Sequence, residues 1–209
     1  MVDVTVKILE PASDFDLISL AELKVALGLP AGTGTTDPQL EWLIDVGSST
    51  ISTLCNRVFA KEKVKETWRC LGARRVYLTH WPVKEEDIES VTTNGTDRLD
   101  YELEEGSGKL SIFTDRQEPI IVTYTGGYVC PDEVPDALKQ ACALIVSTSK
   151  AEQAAAALTG VRMISHKESR VMFHTPNSGS SGGGSGSGGA SAVRDTVEGL
   201  LGHYIKHWI

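Results

Sequence analysis

Apolar positions recur at helical spacing near both ends of the chain and alternate in its middle, so the change of period divides the sequence into three stretches. Ser19-Leu-Ala-Glu22 has the form of a capping box and predicts a short helix running to about Leu27, stopped by Gly28 and Pro30. Asp37-Pro38 predicts the next helix start, with Asp37 as N-cap and proline at the first position, where its missing N–H costs nothing. Leu40, Leu43, Ile44, Gly47, Ile51, Leu54 and Val58 line one face of that helix. Trp42 and Val46 add apolar surface on another side, which either packs on the following segment or meets a neighbouring subunit.

From about Glu66 to Val129 the period becomes that of strands. Val76-Tyr-Leu precedes Trp81-Pro82, Asn94-Gly95 marks a tight turn, and Gly106-Ser-Gly108 separates Tyr101-Glu-Leu from Leu110-Ser-Ile-Phe113. Ile120-Ile-Val-Thr-Tyr124 supplies a further strand, ended by Gly126-Gly127. Asp136 opens a helix with Leu138, Ala141, Cys142 and Ile145 on one stripe, prolonged by Ala154 to Ala157 and ended by Gly160. Val161 to His174 alternates as a short strand or hairpin. Ser178 to Ser191 is almost all glycine and serine, too polar to offset its ordering cost, and reads as a mobile loop. Its irregular spelling favours a native loop over a laboratory linker. Ser191 is the expected cap of a final helix, Ala192 to about Ile209, with Val193, Val197, Leu200, Leu201 and Tyr204 on its apolar stripe. The expected fold is α+β: a mainly helical bundle from residues 1–66 and 130–209, with a small antiparallel β-sheet or hairpin region inserted at 67–129.

Composition narrows the function. At 209 residues and 41% hydrophobic content the chain is long enough for one substantial core, or one core and a satellite. The net charge of −8 is concentrated in the first 60 residues and argues against a basic nucleic-acid footprint. No stretch approaches the roughly 20 apolar residues of a membrane span. Cys55, Cys70, Cys130 and Cys142 have no CxxC spacing and read as small buried thiols. His203 and His207 stand four apart and could share a helix face, but no carboxylate completes a metal site in that turn. Asp132-Glu133 reads as an acidic helix entry rather than a catalytic pair. Gly126-Gly127 follows a strand but lacks both the GxxxxGK[ST] and the GxGxxG pattern, so a turn past Tyr128 is the simpler reading. Glu85, Glu86, Asp87, Glu89, Glu102, Glu104 and Glu105 read as a solvated face. No catalytic, cofactor or metal residue is expected.

The order of several pieces resembles the phage head-tail connector (adaptor) family, in its longer, β-inserted members. The pieces are Ile18-Ser-Leu-Ala-Glu-Leu-Lys24, Asp37-Pro-Gln-Leu-Glu-Trp-Leu-Ile44, Asp100-Tyr-Glu-Leu, Val122-Thr-Tyr-Thr-Gly-Gly-Tyr128 and Val134-Pro-Asp-Ala-Leu-Lys-Gln140. Ala192 to Tyr204 resembles the family's last helix. The resemblance implies a structural neck subunit, without cofactor or enzymatic activity, forming a ring, typically of twelve. That ring would join the portal protein of the head to a stopper or tail-completion protein, and DNA would pass through its lumen without specific binding or any membrane partner. The location implied is the virion neck, with the host cytoplasm during assembly. A stopper-like neck protein and a small hydrolase are the alternatives. The chain departs from the family pattern in its long Gly/Ser loop and in ending on Lys206-His-Trp-Ile209 rather than a basic tail. Through the resemblance, Tyr204, His207, Trp208 and Ile209 are expected to contact the portal or an adjacent subunit, and Trp42 is a further candidate contact.

Overall fold

Strand Asp3–Glu10 (β1) opens the chain in the computed structural model, which describes residues 3–69, 75–112, 119–157, 163–166, 169–172 and 188–206. Two helices follow, Leu20–Ala26 (α1) and Asp37–Cys55 (α2). The strands Glu62–Arg69 (β2), Arg75–Tyr77 (β3), Ile88–Thr93 (β4), Thr96–Asp97 (β5), Tyr101–Glu104 (β6), Lys109–Ile112 (β7) and Ile120–Gly126 (β8) come next. Helix Asp136–Ala157 (α3), strands Met163–His166 (β9) and Ser169–Met172 (β10), and helix Gly188–Leu201 (α4) complete the described elements.

The expectation of a mainly helical bundle is corrected by the sheets. β1, β2, β8, β4 and β5 form one antiparallel sheet in that order, and β3, β7 and β6 form a second. Strand structure begins at residue 3, because Val4, Val6 and Ile8 alternate with Thr5 and Lys7 and pair in register with Trp68, Glu66 and Val64 of β2. Short strands of this kind carry little signal singly, and long-range pairing completes them. The two sheets share one core, in which Val64, Val91, Val122 and Tyr124 meet Val76, Leu110 and Ile112. A second core gathers Leu23, Leu40, Leu43 and Ile51 of the first helices with Leu138, Cys142 and Val146 of α3 and Val197 and Leu201 of α4.

Several local expectations match the geometry. Ser19 and Glu22 form the reciprocal capping box, and Gly28, with φ of +65°, ends α1. Asn94 and Gly95 both take positive φ at the β4–β5 turn. β9 and β10 form the expected hairpin. Asp37 differs: Thr36 is the N-cap, and Asp37 instead pairs with the buried Lys24 at 2.7 Å while accepting from the Gly34 amide. Leu54 is exposed and Val58 lies past the end of α2, so the true stripe runs through Leu40, Leu43, Ile44, Gly47, Ile51 and Cys55. Gly47 belongs there because α3 passes close by, and a Cβ at 47 would sit 3.0 Å from Cys142 Sγ. α4 starts at Gly188, inside the expected loop, and ends at Leu201 before Gly202. Residues 178–187 of that loop lie outside the described residues, as does Cys70.

The two cores are stitched where three segments cross. Val58 bridges to His80, Ala60 bridges to Tyr128, and the Gly127 amide donates to Pro82 O at 2.9 Å. The Tyr128 amide donates to Phe59 O, and the Lys61 amide returns a bond to Tyr128 O.

Candidate functional site

Alternation along β2 places Glu62, Val64, Glu66 and Trp68 on the buried face, so two carboxylates enter the apolar side of a strand. They are held there by polar partners gathered from three segments. Glu66 Oε1 accepts from Tyr124 Oη at 2.5 Å and from the Thr79 amide at 3.0 Å, and Oε2 accepts from Trp68 Nε1 at 3.0 Å. His80 Nε2 donates to Glu62 Oε2 at 2.8 Å, the other Glu62 oxygen accepts from the Ala12 amide, and the His80 amide donates to Tyr124 Oη. His80 Nδ1 lies 3.9 Å from Glu66 Oε1. Burial alone would raise the Glu66 carboxyl, but its hydrogen-bond donors and the Lys206 charge outweigh this and hold it below the usual range. Burial and the Glu66 charge push the Tyr124 phenol well up.

The same junction captures the end of the described chain. The Lys206 amide donates to Cys55 O at 2.9 Å, and its ammonium sits 5.1 Å from the Trp68 ring centroid. Burial lowers the Lys206 ammonium to about 8, with the Glu66 charge opposing the shift. A carboxylate, an imidazole and a phenol within hydrogen-bonding reach are acid–base chemistry in kind. Glu62, Glu66, His80 and Tyr124 are each 3% exposed or less, however, so a substrate has no approach to them. Their arrangement ties β2 and β8 to the segment after Leu78 and to the chain end.

Of the residues expected to contact partners, the two that are described, Tyr204 and Trp42, stand apart. Tyr204 is half-buried, with edge-to-face contacts to Phe59 at 6.1 Å and to Trp81 and His203 at 5.6 Å. Trp42 is 55% exposed on α2, and about 20 Å of helix separates it from Cys55, where Lys206 docks. His207, Trp208 and Ile209 lie outside the described residues. A cleft of about 510 Å³ lies beside Tyr204, lined by Arg57, Tyr77, Glu104, Ser107, His203 and Ile205. Arg57 is buried at its floor, donating from Nη2 to Ser107 O at 2.8 Å and stacking on Trp81. Among the described residues, no group of three or more His, Cys, Asp and Glu side chains is placed to hold a metal ion. Among them too, no helix is long and apolar enough to cross a membrane. Cys55, Cys130 and Cys142 are buried free thiols, each pushed by burial to about 11.

Around Trp42 the surface is acidic. The loop before α1 lies along α2, where the Leu17 amide donates to Ser48 Oγ at 3.0 Å. Asp16 is thereby brought against Asp45, Asp14 and Glu41, and partial burial with this crowding pushes its carboxyl to about 7. A carboxyl raised from 3.8 to about 7 contributes stability below pH 3.8 that is lost as pH rises to about 7. Asp16→Asn is therefore expected to raise the melting temperature more at pH 8 than at pH 5. Equal gains at both pH values in thermal unfolding scans would show that the crowding of charge is not the cause.

The profile of the head completion protein family matches residues 16–156, which cover α1 through nearly all of α3 and both sheets except β1. No curated protein matches the chain. Among solved structures, the fold is similar to a chain in the neck of an empty gene transfer agent (GTA) particle computed with C6 symmetry. That likeness has a TM-score of 0.56 and 12% identity, and covers 98% of this chain and 97% of the other. A chain in the virion of a native GTA particle aligns with a TM-score of 0.55 and 12% identity over 98% and 96% of the two chains. A chain in the neck of the native particle computed with C12 symmetry gives 0.53 and 12% over 98% and 97%. At this identity the structures establish likeness of fold, and the family follows from the sequence match over most of the chain: the protein belongs to the head completion protein family.

Proposed function

We propose that the protein is a structural subunit of a virion neck, assembling as a symmetric ring between the portal of the head and a stopper or tail-completion protein. The observation that carries this reading is family membership over residues 16–156, supported by a fold that follows GTA neck chains almost from end to end. DNA passes through the lumen of such a ring. A net charge of −8 suits that passage, since each cationic contact to phosphate would add a salt-sensitive attraction and slow it. The subunit carries no catalysis of its own. The closure of the Glu62–His80–Glu66–Tyr124 cluster supports a structural role for its polar groups.

The chain end supplies the portal contact in this reading. Tyr204 and Lys206 anchor the segment on the subunit, and His207, Trp208 and Ile209 follow directly. An aromatic anchor in a partner pocket contributes roughly 2 kcal/mol or more, multiplied around a ring by avidity. Electron microscopy of portal-bearing heads mixed with the purified protein is expected to show a ring at the portal vertex. Deletion of residues 207–209 is expected to leave the subunit's melting temperature unchanged while its occupancy on heads falls several-fold. Heads that bind no protein at the portal vertex would overturn the neck reading. A truncated chain that melts earlier yet binds heads normally would assign those residues to the subunit's own core.

A further inference from the structure

A cyclic ring of more than two copies is built from head-to-tail contacts, so each subunit must present two different surfaces that fit one another. Two exposed surfaces of opposite charge stand on this molecule, one on each core. On the helical core, Trp42 is 55% exposed on α2 between Glu41 and Asp45 in sequence, and Phe15, 54% exposed, belongs to the loop along α2 whose Asp16 is held against Asp45 and Glu41. Large exposed aromatics with a polar surround have the composition of an interface centre. The crowded carboxylates beside them repel one another until a cation approaches.

The second surface is the outer face of the five-stranded sheet. Lys7 of β1 stands directly opposite Lys65 of β2, and Thr123 of β8 follows on the far side of Lys65. Like charges directly opposed across a strand pair destabilise it. One step along the same face, Lys63 is neutralised by Glu10 at 3.8 Å and by a closer pairing with Glu89. Lys7 and Lys65 are exposed and, among the described residues, take neither an ion pair nor a hydrogen bond. The sheet therefore keeps two unneutralised ammonium groups side by side at a cost to its own stability.

We propose that the acidic aromatic surface around Phe15 and Trp42 docks on the Lys7–Lys65 sheet face of the next copy of this chain, forming the repeating contact of the ring. This rests on the neck-ring reading and says which surfaces make it. Trp42 meets an ammonium group through its ring face, while Asp16, Glu41 and Asp45 share the second charge. A second copy supplies both complements at once. A DNA backbone would satisfy only the two lysines and would be repelled by the acidic surface.

A charge-swap experiment reads the contact directly. The variants Lys7→Glu/Lys65→Glu and Glu41→Lys/Asp45→Lys change exposed side chains and should each remain folded by circular dichroism. Each variant alone is expected to lose the ring seen for the wild type, by light scattering in solution or by microscopy on portal-bearing heads. An equimolar mixture is expected to recover it, because every contact between unlike subunits again joins opposite charges, and the four-substitution chain should recover it as well. Raising salt from 0.1 to 1 M should weaken the wild-type ring as the Debye length shrinks from about 10 to 3 Å. Rings formed by either folded variant alone, or no recovery in the mixture, would overturn this interface while leaving the neck reading intact. A wild-type protein that stays monomeric even on heads would overturn the ring and this contact together.

Discussion

Glu66→Ala is expected to destabilise the subunit by about 3–5 kcal/mol, the range for breaking a buried charge network by removing one partner. The substitution deletes three short bonds at once. It leaves the Tyr124 hydroxyl, the Trp68 indole N–H and the Thr79 amide without an acceptor in a core closed to water. It also removes the negative charge beside the Lys206 ammonium, which burial already disfavours. Because these partners come from β2, β8, the segment after Leu78 and the chain end, the loss falls on the junction between the two cores. Glu66→Gln keeps an acceptor oxygen and should cost less. The wild type and Glu66→Gln also separate by pH: the Glu66 carboxyl is lowered in the folded state, so its stabilisation is present above about 4.5 and is lost as pH falls through the folded value. Urea unfolding curves between pH 7 and pH 3 should therefore show the wild type converging on Glu66→Gln as acid is added. An Ala variant that costs under 1 kcal/mol at pH 7 would mean that water or a neighbouring group replaces the carboxylate.

The elements carrying their own local signals were legible in the sequence. The Ser19–Glu22 box, the Asn94-Gly95 turn, the long α3 and the β9–β10 alternation all rest on contacts within a few residues. β1 was missed, and with it the balance between sheet and helix, because an eight-residue edge strand with exposed Val6, Ile8 and Leu9 becomes a strand only by pairing with residues some 60 positions later. The polar junction was missed for a related reason. Glu62 and Glu66 look like surface acids when counted as charge, and His80 looks isolated when its neighbours are sought along the chain. A signal was nonetheless present: in Glu62-Lys-Val-Lys-Glu-Thr-Trp-Arg69, period two puts both glutamates on the face that carries Val64 and Trp68. An acid on the apolar face of a strand needs donors from elsewhere in the fold, and a buried His, Tyr or Trp is the usual supplier. The Trp42 surface was legible as a second apolar side of α2, but its acidic frame depends on the loop that carries Asp16 folding back along that helix.

Gly127→Ala is expected to destabilise by about 3–5 kcal/mol, through two costs that act on one atom. Gly127 has φ of +108°, a conformation that a Cβ makes strained whatever the space around it. There is also no space: an added Cβ would overlap the Ala60 carbonyl oxygen, 2.5 Å from its carbon and 2.7 Å from Phe59 O. Those atoms are backbone in the crossing segments and cannot rotate aside as a side chain would. Moving them strains the Tyr128 amide to Phe59 O bond and the Ala60–Tyr128 bridge, on which the stitching of the two cores depends. Gly95→Ala is the matched control, since Gly95 also has positive φ, at +74°, but a Cβ there meets nothing within 4 Å. That variant should lose only the conformational part, about 1–2 kcal/mol. The difference between the two in urea unfolding measures the close approach itself. Comparable losses would mean that the crossing relaxes around a methyl group. Because each core carries one of the two proposed ring surfaces, a Gly127→Ala chain that still folds should also assemble poorly at concentrations where Gly95→Ala forms rings.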